Sequence, residues 1–411
     1  MDMSMGARAF ADEKMKAVRE KLGSEKEVDD FGAMRMIIQT IFDDEKSNFY
    51  SYDDIESVIQ RIFYKTRRKL GILQPLLDDA DVSEIMVNGP ADIFVERNGK
   101  IEKYKYGFDS IEELEEVMRN IAGEVHREIN ERSPIVDARL PDGSRVNGVY
   151  KNIALNGPIL TIRKFSEDYM RMGDLVRNGT ISEEGADLLK HLVRCGYNIF
   201  VSGGTSSGKT TLLNALAEAV PRDERVIIIE DSAELKMGYI ENIVHLECRN
   251  SNAKGEGRVS MSDLIKSSPR MRPNRIIVGE VRGSEVVDML QAMNTGHDGS
   301  LSTGHANSVE GMLKRLESLY LAAMPISVDA IREQIAEGIN IMVHIARQKD
   351  GRRRVTEITE LLGYSGGEFT LNPLMKTNIK GKLARTGYGI EKPRKEDDKY
   401  SDKLYGITAP W

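Results

Sequence analysis

Asn198-Ile199-Phe200-Val201-Ser202-Gly203-Gly204-Thr205-Ser206-Ser207-Gly208-Lys209-Thr210-Thr211-Leu212-Leu213-Asn214 decides the fold of this 411-residue chain. The opening residues have strand character, the middle is a glycine-flanked loop, and Leu212, Leu213, Ala215 and Leu216 mark a helix that packs back on the strand. A loop of the form Gly203-x-x-x-x-Gly208-Lys209-Thr210 at a strand-to-helix turn aims bare backbone N–H groups at a phosphate. Gly203, Gly204, Thr205, Ser206, Ser207, Gly208 and Thr211 are read as the cradle. Lys209 is the side chain that reaches the β- and γ-phosphates of ATP, and Thr210 a ligand of Mg²⁺.

Outward from this loop, strands are expected at 198–202, 226–230, 243–247, 275–279 and 299–303, with helices between them. Such alternation means a mostly parallel sheet covered on both faces, an α/β domain that binds nucleotide at the carboxyl ends of its strands. Residues 249–258 read as a flexible loop, and Asp350-Gly351 joins extended runs at 341–347 and 355–362 into a hairpin. Upstream, 1–26 reads as a mobile arm or frayed helix. Met34, Ile37, Ile38 and Ile41, then Ile55, Val58, Ile59, Ile62 and Phe63, have the spacing of two partner helices. From Gly71 the pattern turns to strands with an Asn98-Gly99 hairpin, a helix begun by Ser110 and Glu113, and further strands around Pro141-Asp142-Gly143. The expected organisation is a helical lead-in over 1–70, a compact α+β, sensor-like (PAS-like) domain over 71–165, a linker over 166–184, the α/β domain over 185–375 and a charged tail over 376–411.

Composition bounds the function. Apolar residues make up 40% and charged residues 30% of the chain, and no apolar run approaches the ~18 residues of a membrane span. The first ten residues lack the apolar stretch of a signal peptide, so the protein is expected to stay in the cytoplasm. The formal charge of -7 argues against wholesale nucleic-acid binding. The basic runs at 65–69 and 352–354 are read as solvated faces. Cys195 and Cys248 lie far apart in apolar segments and are expected to be reduced, and the six histidines have no metal-ligand spacing.

Three further clusters stand at strand ends. Glu230-Asp231 places two carboxylates beside the nucleotide, with Glu230 sharing Mg²⁺ with Thr210. Arg275-Ile-Ile-Val-Gly279-Glu280 is a buried strand ending in an acid, with Gly279 where many phosphate-loop enzymes carry the Mg²⁺-linked Asp; Glu280 is cast as the base that activates water. In Ser302-Thr303-Gly304-His305, His305 is set to touch the γ-phosphate. Positive charge for the transition state is sought in Arg270, Arg272 and Arg282, and in Arg139, Arg145 and Arg163 of the preceding domain, of which Arg145 and Arg163 clamp the phosphates if the domains close.

Together Gly-Gly-Thr-Ser-Ser-Gly-Lys-Thr-Thr, Ile-Glu-Asp-Ser-Ala-Glu-Leu, Arg-Ile-Ile-Val-Gly-Glu-Val-Arg-Gly and Ser-Thr-Gly-His-Ala-Asn resemble the Walker A, Asp box, Walker B and His box of the type II/type IV secretion ATPases. Asp137-Ala-Arg-Leu-Pro-Asp-Gly-Ser-Arg-Val-Asn and Leu160-Thr-Ile-Arg-Lys-Phe are similar to the CpaF/TadA branch, motors of tight-adherence (Flp) pili. The resemblance implies a RecA-like ATPase domain, with Lys209 and Thr210 on phosphate and Mg²⁺, Glu230 in the Asp box, Glu280 catalytic and His305 sensing nucleotide. It also implies Arg145 and Arg163 at the phosphates, a homohexameric ring, and an inner-membrane platform protein as partner, with the motor peripheral at the inner face of the membrane. Ser206 stands where the family often has Gly and Asn274 where Asp is usual, and the four-cysteine module of some type II motors is absent from the sequence. A nucleic-acid translocase on the same RecA-type core is the alternative; the acidic balance weighs against it.

Overall fold

The computed structural model describes residues 5–24, 28–125, 127–164, 170–249, 251, 255–348, 350–379 and 381–394. The chain divides into two units, 1–166 and 167–411, each with its own core.

In the first unit, helices α1 (Met5–Ser24), α2 (Asp30–Phe42) and α3 (Tyr52–Arg67) pack through Ala7, Phe10, Ala11, Val18, Ile37, Ile41, Val58 and Ile62. The expected arm is thus a formed helix over its described part. Its buried stripe keeps helical spacing, but alanines supply part of it, and they carry little apolar signal among so many charged neighbours. The short helix α4 (Gln74–Asp78) then leads into strands β1 (Val82–Asn88), β2 (Ile93–Arg97) and β3 (Lys100–Lys103). Helix α5 (Ile111–Glu124) follows, and strands β4 (Ile135–Arg139), β5 (Arg145–Val149) and β6 (Ile159–Arg163) complete an antiparallel sheet of order β3-β2-β1-β6-β5-β4. Ser110 caps α5 by accepting from the Glu113 N–H, while the Glu113 carboxylate accepts from the N–H of Asp109, one residue earlier than a reciprocal box requires. The run at 65–69 is only in part a solvated face, since the Lys65 side chain is mostly buried while Lys69 stays exposed. Lys65 pairs with Asp109 and Glu113, Arg67 and Arg68 with Asp30, and Lys69 with Glu124, while Arg8 and Arg61 join Lys65 on Asp109.

The second unit begins with helices α6 (Met172–Arg177) and α7 (Glu183–Arg194). Met172, Leu175 and Ile181 are buried in its core, so most of the stretch expected as a linker is part of this unit. Next come strand β7 (Ile199–Gly203), helix α8 (Lys209–Ala217), strands β8 (Val226–Glu230) and β9 (Ile243–Glu247), helix α9 (Met261–Ser267), strand β10 (Arg275–Val281) and helix α10 (Glu285–Asn294). Strand β11 (Leu301–His305), helices α11 (Val309–Ala323) and α12 (Val328–Gly338), and strands β12 (Ile341–Arg347), β13 (Arg353–Ser365), β14 (Glu368–Thr377) and β15 (Leu383–Arg385) follow. The sheet order is β15-β14-β13-β12-β7-β11-β10-β8-β9; β12, β7, β11, β10, β8 and β9 run parallel and the last three strands antiparallel. Along β7 and β8 alternate residues enter opposite cores. Ile199, Val201, Val226 and Ile228 pack on one side of the sheet, and Phe200, Ile227 and Ile229 on the other, as a parallel sheet covered on both faces requires.

Of the expected charged tail, residues 376–379 and 381–394 are described, and these are ordered. Beyond β14 and β15, a strap returns across the sheet. The carboxylate of Glu360, 1% exposed, accepts from the N–H groups of Glu391 and Lys392 at 2.9 Å and from Asn372 at 2.9 Å. The Tyr197 hydroxyl donates to the Lys392 carbonyl, and Arg394 reaches Asn340 at 2.8 Å and Asp298 at 3.1 Å. A segment poor in apolar residues is held here by buried polar groups, which periodicity does not register.

Candidate phosphate-binding site

The loop between β7 and α8 is shaped by contacts that exclude side chains. A Cβ on Gly203 would fall 2.4 Å from the Ile345 carbonyl oxygen and 2.5 Å from Ser207 Oγ. Ser206 and Gly208 both take left-handed backbone, with φ of 56° and 98°. For Gly208 this is free of steric cost, whereas Ser206 holds a conformation that Gly would adopt more easily, the position at which this chain departs from the family pattern. The Ser207 Oγ is buried and lacks a hydrogen-bond partner among the described residues. An orphaned hydroxyl in a loop at a helix N-terminus, with Lys209 as the first helical residue, fits an anion. Thr210 is the second residue of α8 and half-buried, suited to hold Mg²⁺ at the edge of the same cradle.

Lys209 is buried, and its Nζ donates to the Gly204 carbonyl at 3.1 Å and lies 3.1 Å from His305 Nδ1. Burial holds its pKa below the ordinary lysine value, with the negative charge of Glu280 opposing. His305 ends β11. Burial, and then the Lys209 charge, lower its pKa from 6.5, so the neutral imidazole presents Nδ1 as acceptor to Lys209 and carries its proton on Nε2. That Nε2 sits 2.5 Å from Glu280 Oε1, a contact whose angles fall short of a directed hydrogen bond. Arg282 holds the other oxygen, Oε2, through Nη2 at 2.6 Å and Nε at 2.9 Å, and stands 3.8 Å from Asp231. Lys209, His305, Glu280 and Arg282 therefore form one connected row at the carboxyl ends of three parallel strands.

A bulge aims Glu280. Ile277 and Val278 face Leu301 and Ser302 on β11, but Val281 faces Gly304, so Gly279-Glu280 carries one residue more than its neighbour. The Thr303 hydroxyl donates to the Gly279 carbonyl at 2.8 Å and fixes the bulge. Gly279 is also where a Cβ would crowd Glu230 Cγ at 3.0 Å, so glycine there makes room for Glu230 rather than for a metal-bound Asp.

Glu230 is 3% exposed, and its Oε1 accepts from the N–H groups of Glu234 at 2.9 Å and Leu235 at 3.1 Å. These bonds draw the carboxylate onto the backbone after β8, an arrangement that sequence does not reveal because it depends on how the loop folds back. Arg270 and Arg272 precede β10 and stand at the opposite end of that strand from Glu280, roughly 20 Å along a seven-residue strand. They are thus remote from the phosphate loop of their own chain. In the first unit, Arg139, Arg145 and Arg163 are direct cross-strand partners on one face of β4, β5 and β6. Arg139 also donates through Nε to the Gly143 carbonyl at 3.1 Å. Sequence reasoning missed Arg353, whose Nε donates to the Ser206 carbonyl at 3.1 Å. Its only signal was the basic run at 352–354.

Residues 66–366 match the family described as Type II/IV secretion system protein. The chain belongs to this family. It is 34% identical over 297 residues to a putative conjugal transfer protein of Mycobacterium tuberculosis, spanning 71% of this chain and 84% of the relative. It is 37% identical over 297 residues to the conjugal transfer protein TrbB of Rhizobium radiobacter, spanning 71% and 88%. The fold of this Type II/IV secretion system protein is similar to that of the Yersinia pseudotuberculosis ATPase DotB (TM-score 0.53, 18% identity, 72% of this chain and 79% of that one). It is also similar to the pilus retraction motor PilT with bound ADP (TM-score 0.51, 19% identity, 78% and 84%).

Proposed function

We propose that this secretion-family protein hydrolyses ATP as a ring-forming motor, and that the observation carrying this reading is the row Lys209, His305, Glu280 and Arg282 beside the phosphate loop. The N–H groups of the loop and Lys209 bind the β- and γ-phosphates. Glu280 accepts the proton of the attacking water while the bond from the γ-phosphorus to the β,γ-bridging oxygen breaks, giving ADP and inorganic phosphate. Mg²⁺, held by Thr210 with Glu230 beside it, would neutralise charge on the phosphate oxygens. His305 reports occupancy, because a γ-phosphate that draws Lys209 toward itself takes away the donor to Nδ1. Arg145 and Arg163, in a row of three arginines, supply the remaining positive charge when the first unit closes on the nucleotide, so that hydrolysis becomes movement between units.

The motor is a homohexamer that acts on an inner-membrane platform protein and lies at the cytoplasmic face of that membrane. No helix among the described residues is long and apolar enough to cross one. The motifs at 137–147 and 160–165 favour assembly of a tight-adherence pilus, and the conjugal-transfer relatives make substrate export the competing output. Purified protein is expected to form sixfold rings whose units change their relative arrangement between the ATP- and ADP-bound states, seen by electron microscopy. Rings with an invariant arrangement would sink the motor reading. Loss of surface filaments on gene deletion, with other secretion intact, would select the pilus output.

A further inference from the structure

The sheet order sets the polarity of a nucleotide on the loop. Glu280 and His305 lie on the β11 and β10 side of β7, so the γ-phosphate end faces that side and the nucleoside end faces β12 and β13. On that second side, where β12 turns into β13, stand Arg352, Arg353 and Arg354. A register shift between His344 and Ile345 sets which of them meets the loop, since a one-residue slip exchanges the faces of a strand. Arg354 turns to the Gly381 carbonyl and Asp350, and Arg352 also pairs with Asp350. Arg353 alone of the three goes to the phosphate loop, with Nε on the Ser206 carbonyl and its Cδ 3.2 Å from where a Cβ on Gly208 would stand. Among the described residues no carboxylate pairs with it.

We propose that Arg353 is a positioning residue for the phosphate loop, holding Ser206 and Gly208 in their left-handed conformations and so setting affinity for the diphosphate portion of the nucleotide. Ser206 needs such a brace because a non-glycine residue at φ of 56° is strained, and an unbraced loop relaxes to a shape whose N–H groups no longer converge. The brace acts on the loop itself, so ATP, ADP and inorganic pyrophosphate are affected alike, and the chemistry at Glu280 is spared. This rests on the ATPase reading above, and the two fail differently.

The test uses the full-length protein with Mg²⁺ and compares wild type, Arg353→Ala and Arg353→Lys. For Arg353→Ala, KM for ATP and the dissociation constants of ADP and pyrophosphate are each expected to rise about tenfold, while most of kcat at saturating ATP is retained. Arg353→Lys, which keeps one donor for the Ser206 carbonyl, is expected to recover part of the affinity. Unfolding midpoints without nucleotide are expected to coincide, so that weaker binding is not a folding defect. Unchanged affinities, a loss confined to kcat, or weakened ADP with unweakened pyrophosphate would each overturn the proposal, the last by pointing to a contact with the nucleoside. Failure of the wild type to bind ADP would instead overturn the ATPase reading.

Discussion

Glu280 and His305 are in contact but do different work, and substitutions separate them. Glu280→Gln keeps size and shape but cannot accept a proton. It is expected to lower turnover by roughly 10²–10⁴-fold while ATP affinity stays within a few-fold, measured by steady-state hydrolysis beside equilibrium binding. His305 sets a pH dependence whose sign follows from its depressed pKa. The unfolded chain binds a proton near 6.5, the folded site only at lower pH, so stability without nucleotide is full above that value and falls as pH drops below it. His344, buried and 2.9 Å from Ser202 Oγ, adds in the same direction. His305→Gln is expected to flatten part of the loss between pH 7 and 5 in a series of unfolding midpoints. An unchanged slope would mean that His305 is not held neutral in the fold. Residue types at strand ends were enough to single out Lys209, Glu280 and His305, because those positions follow from strand polarity. They were not enough for the orientation of Glu230 or for Arg353, whose contacts depend on a loop fold and on a bulge that have no sequence signature.

At the scale of elements, what sequence conveyed was periodicity. Strands β8 and β9 were legible to the residue, since each is an extended run between turn signals, and β7, β10 and β11 were legible to within two residues. Helix α1 was not, because its alanines dilute the apolar stripe. Strands β14 and β15 were not singled out, although Leu374, Met375 and Leu383 are buried in the core, and the strap to Arg394 was not legible because its anchor is polar. The carboxylate of Glu360 is the centre of that anchor, so removing residues 387–411 leaves a buried charge without two backbone donors. The truncated protein is expected to lose at least about 2 kcal/mol of unfolding free energy, read from denaturant titration of the two lengths. Stability equal to that of the intact chain would show that the strap is only a covering.

For the molecule as a whole, the two independent cores make the division of labour testable. The second unit contains Lys209, Glu280 and His305 but none of the row Arg139, Arg145 and Arg163. A fragment of residues 170–411 is expected to fold cooperatively and bind ADP, yet, on the proposed role of Arg145 and Arg163, to hydrolyse ATP at least about 100-fold more slowly than the full chain, since arginines at a transferring phosphoryl group are worth that much or more. Hydrolysis at the full rate by the fragment would remove the first unit from the chemistry. The two-unit plan itself was readable from the change of pattern near residue 165, where antiparallel strands give way to βα alternation, although the boundary helix α6 fell within the stretch expected as a linker.

Arg394 meets Asn340 and Asp298, residues just ahead of β12 and β11, whereas the phosphate loop and Glu280 occupy the far ends of the same sheet. The last described residue therefore lies at the pole of its unit away from the nucleotide. A fluorophore placed at this pole would sit on the side remote from the phosphate loop, where it leaves the proposed chemistry unobstructed.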